Sequence, residues 1–94
     1  MSEWKEVQEN NVWQFKAIED KIEGILVNKQ PKTKDISARY YIDMGNNIMM
    51  VWGTTVLDAR MMNVQVGQQV RITYKGKQEN NKKTVHIFKV EVKV

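Results

Sequence analysis

The sequence contains no cysteine, and it has one proline and one histidine among 94 residues. Without cysteine, a disulfide framework and a thiolate metal site are both excluded, and one histidine cannot form a histidine-rich site. No apolar run approaches the ~18 residues that a membrane helix needs, and the N-terminus lacks the apolar stretch of a secretory signal. These absences predict a soluble, cytoplasmic protein that binds neither membrane nor metal.

Signatures of catalysis are also scarce. His86 has no cysteine with which to form a catalytic pair, and the carboxylates Glu23, Asp43 and Asp58 fall on different predicted elements. No glycine-rich phosphate loop of the Walker type is present. The sequence therefore predicts a protein that is not an enzyme and needs no cofactor.

Positive charge is concentrated in two stretches of the chain. Residues 71–89 hold one arginine and five lysines against one glutamate, and residues 28–43 hold three lysines and one arginine against two aspartates. The segment 1–11 is instead acidic, with three glutamates and one lysine. Clustered cations are typical of proteins with an anionic partner, although solvated lysine-rich loops give the same pattern.

Apolar and polar residues alternate with a period of two along most of the chain, which predicts strands with one buried face. The strand-forming runs begin at Trp13, Tyr40, Ile48, Val70 and Phe88. The first run is long and carries Gly24 midway, where a glycine would let the strand bend. The polar stretches 28–35 and 76–83 are predicted loops, because proline, glycine and asparagine interrupt them.

Two further signals complete the order of elements. Gly45-Asn46-Asn47 predicts a tight turn between strands two and three. The segment after Gly53 predicts a helix of about two turns, in which Thr55 and Asp58 have capping-box-like spacing and Leu57 and Met61 recur at helical spacing. A helix between the third and fourth of five strands is the OB-fold order, with an SH3-like barrel as the main competitor.

We therefore predict an all-β fold, a five-stranded OB-fold-like barrel with one short helix between strands three and four. Residues 12–94 would form this domain, and residues 1–11 are a segment of unknown order.

Four short elements of the sequence resemble small phage-type single-stranded-DNA-binding proteins with an OB-like fold. They are Ile22–Leu26, Trp52–Asp58, Val66–Val70 and Tyr74–Lys77. The resemblance spans roughly residues 13–92 in order and spacing, and the element at Trp52 is the most distinctive. It implies an accessory role in replication, recombination or repair of phage or host DNA, in the host cytoplasm.

Binding a single strand without sequence choice needs cations for the phosphates and flat aromatic faces for the bases. OB-folds place this site over strands two and three, flanked by the loops that join strands one to two and four to five. Here those loops are the two lysine-rich stretches. The predicted binding residues are Lys29, Lys32, Lys34, Arg39, Tyr41, Trp52, Arg71, Lys75, Lys77, Lys82 and Lys83.

Each aromatic side chain could either stack on a base or pack in the core, and the sequence favours different positions for different residues. Tyr41 and Arg39 should face outward, because they alternate with the apolar Tyr40 and Ile42. For Trp52 we favour packing in the core over stacking. Phe15, Tyr74 and Phe88 are predicted core residues, whereas Trp13 could serve either purpose, and the methionines at 49, 50, 61 and 62 are predicted core filler.

A second hypothesis comes from a different class. The barrel could be a protein-interaction module that docks a partner through a strand edge or through the segment around Trp4. Within the first hypothesis RNA is a variant ligand, and the lack of a cold-shock-type aromatic motif favours DNA. The oligomeric state stays open, since exposed strand edges would allow a homodimer.

Overall fold

The computed structural model describes residues 12–80 and 83–93. Within these residues it shows one sheet of five antiparallel strands and one helix. The elements are β1 (Lys21–Gln30), β2 (Arg39–Asp43), β3 (Ile48–Trp52), α1 (Thr55–Met61), β4 (Gln69–Asn80) and β5 (Lys83–Val92). The strands lie side by side in the order β3-β2-β1-β4-β5. The predicted β-rich fold is thus confirmed, including the helix between the third and fourth strands.

The predicted closure of the sheet into a barrel is not confirmed. Among residues 12–80 and 83–93, β3 and β5 are the sheet edges and do not pair with each other. The chain before β1 lies against both edges: the Trp13 N–H donates to the Met50 carbonyl of β3 at 2.8 Å, and the Trp13 ring packs 6.3 Å from that of Phe88 on β5. A closing ladder is therefore replaced by contacts with this segment.

The strand predicted to begin at Trp13 begins instead at Lys21. Before it, the Asp20 carboxylate accepts hydrogen bonds from the N–H groups of Lys16 at 2.8 Å and Ala17 at 2.9 Å. Glu19 adopts a φ of 80°, a left-handed conformation that turns the chain. Because these contacts form a turn, the local alternation around Trp13 does not extend into a strand.

The core lies between the inner face of the sheet and α1. Its fully buried side chains come from every named element, and they include Ile22, Leu26, Ile42, Val51, Leu57, Met61, Val70, Ile72 and Phe88. Tyr74 and Phe88 are buried, as predicted, and Phe15 packs against them with its ring 4.4 Å from that of Tyr74 and 5.1 Å from that of Phe88. The prediction of methionine as core filler holds for Met61 but is wrong for Met62, whose side chain is 78% exposed.

The helix α1 begins one residue earlier than the capping-box spacing suggested. Thr54 is the N-cap, and its hydroxyl accepts a hydrogen bond from the Leu57 N–H at 3.2 Å. At the other end, the Lys29 ammonium donates to the carbonyls of Met61 at 3.0 Å and Val64 at 2.8 Å. A cation at this end complements the negative end of the helix dipole. The side chain of Lys29 thus joins β1 to the end of α1.

The predicted loop at 76–83 is wrong, because β4 and β5 continue through it as a two-stranded hairpin. Paired residues reach Asn80 opposite Lys83. A bulge between Tyr74 and Gly76, where Gly76 has a φ of 102°, marks where the hairpin departs from the sheet. A two-stranded extension needs no buried face, so its strands carry no apolar alternation to reveal them.

The tight turn at Gly45 is confirmed, with a φ of 102° and a hydrogen bond from the Met44 N–H to the Asn47 carbonyl at 2.9 Å. Within residues 12–80 and 83–93, the structure contains no helix that could span a membrane.

Candidate functional site

The outward surface of β1, β2 and β3 gathers several of the predicted binding residues. Residues opposite each other on antiparallel strands share a face. Arg39 on β2 lies opposite Trp52 on β3 and Gln30 on β1, and Tyr41 lies opposite Met50 and Asn28. We call this surface the aromatic face. It consists of Asn28, Gln30, Arg39, Tyr41, Met50 and Trp52.

The alternation of β2 places Tyr41 and Arg39 outward, as predicted. Tyr40 and Ile42 are 5% and 0% exposed, whereas Tyr41 and Arg39 are half-buried on the other side of the strand. Tyr41 therefore lies, partly exposed, in the middle of the aromatic face. This is the position that a stacking side chain requires.

The preference for Trp52 in the core is wrong. Val51 takes the inward position at the end of β3 and is 2% exposed, so the next residue must point to the other side of the sheet. Trp52 consequently lies on the outer surface with 46% of its area exposed. The aromatic face thus carries two aromatic side chains on adjacent strands, Tyr41 and Trp52.

Arg39 adds a cation between these aromatic groups. Its Nε is buried and has no hydrogen-bond partner among residues 12–80 and 83–93. A guanidinium stays charged and always offers donors, so a buried donor without an acceptor is costly.

The lysines of the first basic stretch border the same surface. Lys32 and Lys34 are exposed in the connection between β1 and β2, next to the row that contains Gln30, Arg39 and Trp52. Neither forms an ion pair with a described carboxylate. Their charges are free to attract an anion along this edge of the aromatic face.

The second basic stretch lies elsewhere. Because β4 runs antiparallel to β1, with Lys21 opposite Thr73, the hairpin at the end of β4 projects from the end of the sheet opposite to Lys32 and Lys34. Lys77 and Lys83 are exposed on that hairpin, and Lys82 lies outside the described residues. The two lysine-rich stretches therefore flank the sheet from opposite ends.

Three of the predicted binding cations already have partners. Arg71 lies 3.4 Å from Glu23 and 3.8 Å from Glu91, and Lys75 pairs with Glu19. The Lys75 ammonium also lowers the pKa of the Glu19 carboxyl, first through its hydrogen bond and then through its charge. Lys29 uses its ammonium on the carbonyls at the end of α1. The structure does not bring these three to the aromatic face as free cations.

Asn28, Gln30 and Met50 were not predicted as members of the site. A bulge in β1 between Leu26 and Asn28 shifts the alternation, so the outward position of Asn28 and Gln30 could not be counted from Ile22. Met50 belongs to a continuous apolar run with no alternation to assign its face. The side-chain amides of these two β1 residues also bond to each other, since Gln30 Nε2 donates to Asn28 Oδ1 at 3.3 Å. This contact is visible only in the structure.

The outward residues of β1, β2 and β3 form rows across the sheet, and the third row, beyond those of Arg39 and Tyr41, has a different composition. Asp43 lies between Ile25 and Ile48, which are 45% and 47% exposed, and Met44 beside them is 45% exposed. The row combines apolar area with one negative charge. It suits a protein surface better than a phosphate backbone.

No group of three or more histidine, aspartate or glutamate side chains within residues 12–80 and 83–93 is arranged to hold a metal ion. Comparison with known proteins found no matching family model, no matching curated protein and no matching solved structure.

Proposed function

We propose that this chain binds single-stranded DNA, largely without regard to sequence, through the aromatic face. The observation that carries the proposal is the placement of Arg39 beside the exposed Trp52 and next to Tyr41. Bases would stack on the two rings while phosphates contact Arg39, Lys32 and Lys34. The OB-like character predicted for the sheet is part of this proposal, and so is an accessory role in phage DNA metabolism.

Duplex DNA is a poorer ligand for such a surface, because its bases are already stacked and paired. A single strand offers the free base faces that Trp52 and Tyr41 can cover. The number of local cations sets the salt dependence: each phosphate contact on a single strand contributes a log–log slope of about −0.7, so three contacts give about −2.

The test is fluorescence anisotropy of a labelled oligothymidine of about 20 nucleotides at several salt concentrations, with duplex of matched length as a control. Trp52→Ala and Tyr41→Ala should each weaken binding by about 1–3 kcal/mol, or roughly 5- to 150-fold. Val66→Ala removes apolar area at a residue that is 57% exposed and does not belong to the aromatic face, and it should leave the affinity unchanged.

Equal affinity for single strand and duplex, or equal affinity of the Trp52→Ala and Val66→Ala variants, would contradict the proposal. A protein-interaction module is the second candidate, favoured by the exposed Ile25 and Ile48 on the third row. If the chain is a protein-interaction module, its affinity for DNA is low. Ile48→Glu should then prevent partner binding, whereas Lys32→Ala should not.

A further inference from the structure

A groove with a volume of about 230 Å³ adjoins the aromatic face. It lies where the connection between β1 and β2 passes α1, and Gln30 belongs both to its lining and to the aromatic face. Its lining is mostly apolar and includes Pro31, Ala38 and Met62, the last of which is highly exposed. A strand bound on the aromatic face would therefore pass the mouth of the groove.

Two polar groups are fixed within this apolar lining. The Tyr40 hydroxyl donates to Asp58 Oδ1 at 2.7 Å. Burial raises the pKa of the Tyr40 phenol, and the hydrogen bond to Asp58 raises it further, so Tyr40 remains a donor. The bond holds the Asp58 carboxylate in place at the lining of the groove, and among residues 12–80 and 83–93 its second oxygen, Oδ2, accepts no side-chain hydrogen bond.

The charge around the groove indicates what enters it. Lys32 lines it together with the apolar residues, and Lys34 follows in the same exposed connection, whereas the Lys29 ammonium in the lining is already bonded to the carbonyls at the end of α1. Cations around an apolar groove that is continuous with the aromatic face favour the flat base of a polyanion over the apolar side chain of a protein. A base turned out of the strand would contact the apolar lining, which includes Pro31 and Met62.

The carboxylate then selects among bases. Ionised aspartate only accepts hydrogen bonds. On its Watson–Crick edge guanine presents two adjacent donors, N1–H and the 2-amino group, whereas the other bases place an acceptor beside each donor. An acceptor facing the carboxylate would be repelled, so guanine is the complementary base.

We propose that this groove binds one unstacked guanine of the bound single strand, with Asp58 accepting from its N1–H and 2-amino groups. The inference rests on the single-strand binding proposed above. It adds a preference at one nucleotide to binding that is otherwise insensitive to sequence.

The experiment compares oligothymidines that carry one central guanine, hypoxanthine or adenine, by anisotropy with the full chain. Hypoxanthine keeps the N1–H of guanine but lacks the 2-amino group. The guanine strand should bind about tenfold more tightly than the hypoxanthine strand, as expected for the loss of part of a bidentate base contact. The adenine strand should bind no more tightly than the hypoxanthine strand.

Asp58→Asn should abolish the guanine preference while preserving affinity for oligothymidine. An asparagine can still accept from Tyr40, but its amide group then presents donors to the donors of guanine. Asp35→Asn is the matched control, because it removes the same charge from the neighbouring connection without lining the groove. Met62→Glu alters only an exposed side chain and should reduce the preference even if Asp58→Asn folds poorly.

The outcomes separate this inference from the function on which it rests. Failure to bind any single strand would overturn both. Binding with equal affinity for the three strands would leave the function intact, assign the groove to another occupant such as an apolar protein side chain, and overturn the guanine proposal. If Asp58→Asn retained the guanine preference, the guanine proposal would also be overturned. Loss of the preference in Asp58→Asn but not in Asp35→Asn would support the proposal.

Discussion

Replacing Lys29 by methionine should destabilise the fold rather than directly weaken the DNA binding that we propose. Methionine keeps most of the aliphatic length of lysine but removes the ammonium. That ammonium donates to the carbonyls of Met61 and Val64 at the end of α1. The Met61 carbonyl also accepts from the Val64 N–H at 3.1 Å, so it keeps one partner in the variant.

The magnitude follows from these contacts. A hydrogen bond from a charged donor contributes about 1.5–3 kcal/mol, and a cation at a helix C-terminus about 0.3–1 kcal/mol. Lys29 is only half-buried, so water recovers part of each contribution. We expect the free energy of unfolding to fall by about 2 kcal/mol, which lowers the Tm of a domain of this size by about 10 °C.

Thermal denaturation followed by circular dichroism measures this change. Lys32→Met is the matched control, because it removes the same charge from an exposed position three residues along the chain. It should leave Tm nearly unchanged. Salt titrations of DNA binding complete the comparison, since loss of a phosphate contact changes the log–log slope by about 0.7.

Lys29→Met should lower Tm and leave the log–log slope of DNA binding unchanged. Lys32→Met should leave Tm nearly unchanged and reduce that slope. Equal Tm values for the two variants would refute the structural role of Lys29. A reduced slope in Lys29→Met without a change in Tm would return this residue to the set of phosphate contacts.

Three further changes test other parts of the structure. Gly24→Ala should lower stability by about 2 kcal/mol in urea denaturation, because the new Cβ would overlap the Asp43 carbonyl oxygen of the adjacent strand; an unchanged midpoint would contradict this close approach. Arg71→Ala should change the free energy of unfolding by less than about 1 kcal/mol, since the ion pairs of Arg71 are exposed. The affinity of this variant for DNA should stay within about twofold, because Glu23 and Glu91 already compensate the charge of Arg71. The pKa of Asp20 is lowered by the N–H groups of Ala17 and Lys16, so its ionised form stabilises the fold above its ordinary pKa of 3.8 and loses this effect as pH falls through the lowered value. Asp20→Asn should therefore lower Tm at pH 7 but make little difference near pH 2, and a difference that persists in acid would argue against the turn.

Alternation within a strand was a sufficient guide where one face is buried. It identified Tyr40 and Ile42 as inward and Tyr41 as outward, and it placed Tyr74 and Phe88 in the core. The rule works there because each strand lies between two neighbours or packs directly on α1, so burial follows the period of the pleat.

The same rule was insufficient at the ends of the sheet. Around Trp13 the alternation is real, but the turn stabilised by Asp20 ends it before a strand can form. Beyond Gly76 the reverse holds: a hairpin forms although its polar sequence shows no period. The first outcome depends on side-chain hydrogen bonds to the backbone, and the second depends on backbone pairing between β4 and β5. Apolar alternation encodes neither.

The candidate site was predictable only in part for related reasons. Cations are visible in a sequence, but their partners are not, so Lys29, Arg71 and Lys75 could not be distinguished from Lys32 and Lys34. Trp52 illustrates a different difficulty. Its hydrophobicity favours the core, yet the inward position of its neighbour Val51 places it outside, and strand geometry prevails over the preference of one side chain.

The exposure of Trp52 and Met62 connects the two proposed ligand contacts. A small domain buries a modest fraction of its surface, and a large apolar side chain left in water forgoes roughly 1.5–3 kcal/mol of stabilisation. The inward positions beside them are filled by Val51 and Met61, so neither side chain is needed for the core. Both lie on surfaces that meet at Gln30, where a single strand crossing the aromatic face would cover one and reach the other. If so, the stability lost through their exposure is recovered on binding, and polar substitutions at these two positions should reduce affinity without reducing stability.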